Sequence, residues 1–293
     1  MSRHCFGWAV AASFAGLVVL SAPARAQSAF SEQLGRNISQ AQKSELQRQF
    51  GRALVDRGRT LDLDPATSVE DARRVLVRRA SLFETVSEHA KAEADLTAAL
   101  ALEPVDPALY AERGYFYMRR NRFADALADF LTGAKLDPAN ARFRFAAGRA
   151  QAARGNYSTA IPFYDEAIRL NPRDAASFLA RAEARVRVDV LAQARTDYDR
   201  AIAIGLARNN DRYFAYLGRG YVDLVRGDYS GAIGDFDRAL ELDPAAVSAL
   251  LWRGYAREMG GRTDLALDDY ERAAAADPRD RSARANLQRL RSN

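Results

Sequence analysis

RGDYSGAIGDFDRALELDP, from Arg226 to Pro244, has an outline that returns twice upstream. RGNYSTAIPFYDEAIRLNP runs from Arg154 to Pro172, and RNRFADALADFLTGAKLDP from Arg120 to Pro138. Each copy places an alanine, then an aromatic four residues on, then a small residue three further. At helical spacing these three share one face, and small-large-small is the signature of a face that meets another helix. A catalytic site is assembled once, whereas a segment used repeatedly points to a surface built by stacking.

Working outward, the returns of L-x-P set a period of 34. Leu102, Leu136, Leu170 and Leu242 each stand two residues before a proline, and Pro278 closes one more copy. Six units follow: 73–106, 107–140, 141–174, 175–208, 213–246 and 247–280. Each reads as two helices joined by a short turn, seen best at Arg154-Gly155-Asn156, Arg226-Gly227-Asp228 and Gly260-Gly261-Arg262. Asn156 and Asp228 are expected to cap the second helix, and the proline to close it. The eighth position is always small (Ala80, Gly114, Gly148, Ala182, Gly220, Gly254) and the twentieth always alanine. The twenty-fourth is large: Leu96, Phe130, Tyr164, Tyr198, Phe236 and Tyr270.

Six units in phase resemble the tetratricopeptide repeat family, whose 34-residue helix-turn-helix pattern they match over residues 73–280. The resemblance implies an all-α solenoid. It would be a right-handed superhelix of antiparallel helix pairs, the first helix of each lining a concave groove. Departures mark special places. The fourth unit has Leu206 where the proline belongs, followed by the insertion Asn209–Arg212, read as a hinge or a change of superhelix angle. Pro162 falls inside a second helix and should remove its bond to Ser158. His89 replaces an aromatic in the first unit. Residues 27–72 read as either a helical segment or a degenerate repeat near 34–67, ending in LDLDP. Residues 281–293 read as a capping helix with Ala283, Leu287 and Leu290 on its apolar stripe.

One pattern goes beyond the family. The seventh position carries Arg79, Arg113, Arg181, Arg219 and Arg253; sixteen residues on stand Asp95, Asp129, Asp197, Asp235 and Asp269. The third unit has Ala147 and Phe163 instead, so the two charges vanish together. Both lie in apolar stripes, where an unpaired charge costs several kcal/mol in order of magnitude. Arg–Asp bridges are expected, within a unit or to its neighbour, with a structural role.

The groove positions expected from the family are the second, fifth, ninth, twelfth and thirteenth of each unit. They place Tyr115, Met118, Arg119, Phe145, Arg149, Arg187, Phe214, Tyr221 and Tyr255 there as partner-binding candidates, because aromatic and arginine side chains anchor binding surfaces. Leu217, Leu224 and Leu251 fit core as well as groove. The lysine–asparagine clamp that some family members use for chaperone tails has no counterpart, since Lys91 and Lys135 miss the groove positions.

Chemistry is sparse. His89 forms no triad or metal cluster, and no G-x-S-x-G or P-loop occurs. No enzyme, metal or cofactor is expected. Asn37-Ile-Ser and Asn156-Tyr-Ser fit a glycosylation tripeptide.

The apolar run Phe6–Leu20, followed by SAPARA with Ala24 and Ala26, reads as a secretory signal peptide over residues 1–26. An uncleaved anchor is the competing reading, and no membrane span is expected after cleavage. Cleavage would remove Cys5, the only cysteine, with Arg3 and Arg25, taking the net charge from +5 to +3. The chain would then hold together by its core alone. Its arginines are spread out, which argues against nucleic acid. The expectation is an exported, periplasmic scaffold that binds a segment of a partner protein in cell-envelope assembly. The alternative is a scaffold of polysaccharide export whose groove aromatics stack on sugars.

Overall fold

The computed structural model describes residues 68–102 and 105–292. The signal peptide, the LDLDP segment, Asn37 and Pro104 lie outside them. Among the described residues there are thirteen helices and no strand. The chain divides into two compact units at Asp95, each described by itself.

The first unit holds α1 (Val69–Thr85) and the start of α2 (His89–Leu100). α1 begins four residues before the boundary read from the period, because Ser68 caps it, its side chain accepting from the Asp71 amide.

In the second unit the helix pairs are α3 (Pro107–Arg119) with α4 (Phe123–Leu136), and α5 (Ala141–Ala153) with α6 (Tyr157–Leu170). Then follow α7 (Ala175–Arg187) with α8 (Leu191–Ile204), and α9 (Asn209–Val225) with α10 (Tyr229–Leu242). The last pair, α11 (Val247–Met259) with α12 (Thr263–Ala276), is followed by α13 (Arg281–Arg291). From α4 to α13 every helix packs on its predecessor. First helices of successive pairs also touch (α5 on α7, α7 on α9, α9 on α11, α11 on α13), and no two second helices pack to that extent. The more tightly spaced layer lies on the inside of the curve, so first helices form the inner wall.

Each pair turns on a left-handed residue at the same place in the period: Ser87, Asn121, Gly155, Asp189, Gly227 and Gly261, with φ from 58° to 82°. Glycine suits that conformation and Asn or Asp tolerate it. The fit between paired helices is equally periodic. A Cβ on Gly114, Gly148, Gly220 or Gly254 would sit 2.5–2.8 Å from the ring of Phe130, Tyr164, Phe236 or Tyr270. The eighth position is small because the ring four residues after the invariant alanine lies over it. Those alanines, from Ala92 to Ala266, are fully buried.

The structure adds detail to several expectations. Asn209–Arg212, where a hinge or a change of superhelix angle was expected, forms the first turn of α9, which is one turn longer than the other first helices of the second unit. The chain reverses before it at Gly205, whose φ of 101° excludes most side chains. Asp228 does cap α10, but the Asn156 side chain makes no cap bond to α6 and donates to Gln151 Oε1 instead. α6 runs through Pro162 without ending.

Candidate partner-binding groove

The outer edges of the helix pairs carry an ionic ladder. Arg79 grips Asp95 through Nε and Nη2, both at 2.7 Å. Arg113–Asp129, Arg181–Asp197, Arg219–Asp235 and Arg253–Asp269 repeat that two-pronged geometry. The remaining Nη1 reaches the second helix of the preceding pair: Arg113 to Thr97 (3.2 Å), Arg181 to Asp165 (2.6 Å), Arg219 to Asp199 (2.7 Å) and Arg253 to Asp237 (2.6 Å). One guanidinium therefore ties its own pair and staples it to the last. The carboxylates are nearly sealed, Asp197 at 2% and Asp269 at 0% exposure, so each needs its partner. Arg185 and Arg257 add a second donor to Asp197 and Asp269. In α9 the arrangement is inverted, with Asp223 accepting from Arg195. These charges are thus spent on contacts between packed helices.

The inner wall is different. On α3, Tyr115 is exposed, its ring edge-on to Phe130 at 5.1 Å. Burial of its hydroxyl raises its pKa, and the fields of Arg149 and Arg142 oppose that rise. Met118 beside it is half-buried and Arg119 exposed. On α5, Phe145 leans on Tyr164 at 6.0 Å with the Arg149 guanidinium over it at 5.9 Å. Arg187, exposed at the end of α7, lies over Tyr157 at 5.3 Å. On α9, Phe214 packs against Tyr213 and the core, and Tyr221 meets Trp252 of α11 edge-on at 5.3 Å. Tyr255 on α11 is exposed. The nine candidates lie on successive first helices, with Phe145 and Phe214 also packed against the core.

Leu217 and Leu224 are buried, so for them packing wins; Leu251 is half-buried against the core. Glu258 is held by Arg289 of the capping helix at 2.7 Å, which lowers its pKa and makes it a tether. Trp252 was not singled out from the sequence, because it sits outside the five groove positions; it meets the wall at Tyr221. Glu183, on α7 at the middle of the wall, is the other missed group. Burial pushes its carboxyl up to about 7, with Arg149 and Arg187 pulling down and Asp211 adding to the rise. Its signal was visible: a single acid at a groove position between two arginines.

Among the described residues no group of three His, Cys, Asp or Glu could hold a metal ion, and no helix is long and apolar enough to cross a membrane.

The tetratricopeptide repeat profile matches residues 77–141, 116–175 and 217–281, more than half of the chain. Comparison with curated proteins gave no match. Solved structures with the same architecture include MamA, at 22% identity and TM-score 0.53, covering 59% of this chain and 92% of that one. YrrB, described as a TPR protein with an unusual peptide-binding site, aligns at 19% identity and TM-score 0.57 over 66% of this chain and 97% of its own. PilF of Pseudomonas aeruginosa aligns at 15% identity and TM-score 0.62 over 77% and 99%. At such identities the likeness carries the fold.

Proposed function

This chain belongs to the tetratricopeptide repeat family, and from that premise we propose that it is an exported, periplasmic scaffold that binds a segment of a partner protein along its inner wall during cell-envelope assembly. Export rests on the apolar run Phe6–Leu20 and the Ala24/Ala26 pair that follows. The observation that carries the binding role is the exposure of Tyr115, Arg149 and Tyr255 on helices whose remaining faces are used for packing. Large aromatic and guanidinium groups left open on a rigid wall bury much area at low entropic cost when a partner arrives. The peptide-binding site named for YrrB is a precedent in a protein of the same fold.

The test is capture from an envelope extract by residues 27–293, beside the same protein with Tyr115, Phe145 and Tyr221 changed to Ala. A protein held by the first and lost by the second, with both baits equally helical by circular dichroism, supports the reading. Equal capture by both sinks the groove assignment. A polysaccharide held in place of any protein transfers the wall to the alternative role.

A further inference from the structure

The inner wall is not uniform, and its two ends differ in kind. Along α3, α5 and α7 it presents Arg119, Arg142, Arg149 and Arg187, with Glu183 the one acid at the groove positions there. Along α9 and α11 it presents no cation at the corresponding positions. There it exposes Val225, Tyr255 and Met259, at 52%, 40% and 48%, next to the Tyr221–Trp252 pair. The one acid at that end, Glu258, is neutralised by Arg289.

The arginines of α5 also depart from the habit of this protein. On the other first helices the inward-packing arginines are spent on carboxylates: Arg113, Arg181, Arg185, Arg219, Arg253 and Arg257 all are. Arg142 and Arg149 are exposed, and no carboxylate hydrogen-bonds either guanidinium among the described residues. Arg149 has the Phe145 ring beneath it and lies in the field of the buried Glu183 carboxyl, without a hydrogen bond to it. Among these first-helix positions, Arg142 and Arg149 are thus left exposed without a carboxylate hydrogen bond.

We propose that the wall reads a two-part segment of a partner protein: a stretch rich in Asp and Glu over α3–α7, continuous with a stretch of apolar side chains over α9 and α11. This rests on the groove reading above and adds its polarity. Carboxylates match the open guanidinium groups, which bind them in a planar, two-pronged way. Leucine-like side chains match the exposed valine, methionine and tyrosine. Five first helices at about 9 Å spacing span roughly 40 Å, the reach of about a dozen extended residues.

The experiment uses two fluorescent peptides of about sixteen residues and equal composition. One has an acidic block followed by a Leu/Phe/Met block; in the other the same residues alternate. Binding to residues 27–293 is followed by anisotropy between about 50 and 300 mM salt. The block peptide should bind at least about tenfold more tightly. Arg142→Gln with Arg149→Gln should weaken it and flatten the salt dependence. Val225→Ser with Met259→Ser should weaken it and leave the salt dependence intact. All four positions are exposed, so the variants should fold as the parent does. Equal binding of both peptides, lost in the Tyr115/Phe145/Tyr221 variant, would overturn the polarity while sparing the groove. Binding of neither peptide, or binding indifferent to all three variants, overturns polarity and groove together.

Discussion

The third and fourth repeats sit side by side and solve one packing problem in two ways. In the fourth, Arg181 and Arg185 converge on Asp197, and Arg181 reaches back to Asp165. In the third, the corresponding four places hold Ala147, Gln151, Phe163 and Leu131. Both build a two-helix unit in the same stack, so the frame does not require the charges. It requires that they be present together or absent together. A buried carboxylate without its guanidinium is costly, while an apolar replacement of the whole set is close to neutral. The repeat freed from the ladder is also the one that places two exposed arginines, Arg142 and Arg149, at groove positions.

The sharpest way to break this comparison is Asp197→Ala, which leaves Arg181 and Arg185 buried without their main acceptor. It should cost about 3–5 kcal/mol, read from the urea midpoint. Giving the fourth repeat the third repeat's set (Asp165→Leu, Arg181→Ala, Arg185→Gln and Asp197→Phe) should cost about 1.5 kcal/mol or less. If the fourfold variant is the weaker of the two, the equivalence of the two solutions is wrong.

Next in size is the junction entering the third repeat. A Cβ on Gly133 would stand 2.2 Å from the Phe143 ring. Later junctions pair small with small, as Ala201 with Ala215 and Ala239 with Ala249. Gly133→Ala should cost about 2 kcal/mol by overpacking. Adding Phe143→Ala, which recreates the later junctions, should recover part of that loss. Strict additivity in thermal melts would show that the ring and the glycine are not coupled.

Glu183 links the two repeats through Arg149 and Arg187. Its folded pKa, about 7, lies above the ordinary 4.5, so the folded state keeps a proton that the unfolded chain has lost. Stability from this group therefore falls as pH rises between about 4.5 and 7, and the penalty is complete above that window. Glu183→Gln should raise stability by about 2 kcal/mol at pH 8 and change little at pH 4.5. A variant with the parent's slope would remove Glu183 as its source.

The smallest effect lies in the turns, where Gly155 has φ 80° and Asp189 has φ 64°. Gly155→Ala should lose about 1 kcal/mol, and Asp189→Gly should gain a few tenths, since aspartate already tolerates this conformation. Equal and opposite shifts in melting temperature would mean that the aspartate carries more strain than its type implies.

Much of this was legible from residue order. The ladder was readable because Arg and Asp disappear jointly in the third repeat, and only a contact explains joint loss in a single sequence. The alanine, the ring and the small residue were readable because a helix spaces them onto one face. Less legible was the second prong of each arginine, since Thr97, Asp165, Asp199 and Asp237 are acceptors of mixed type on another pair, and the four-residue insertion hides the spacing between Asp199 and Arg219. The place of that insertion was legible from the period, but its conformation was not, because polar residues such as Asn209 and Asn210 suit a loop. They can equally form an exposed helical turn once Gly205 has reversed the chain.

For this protein the sequence by itself determined the repeat, its period, the paired charges and the glycines beneath the rings, because each is enforced locally or between neighbours at constant spacing. Tertiary structure decided which face of each first helix remained open. Leu217 and Glu258 occupy the same positions as the half-buried Phe145 and Met118, yet one is sealed in the core and the other is tied to the capping helix. Exposure at a groove position depends on what the adjacent repeat and the end cap place against it, and that is set by the packed stack rather than by any one period of the chain.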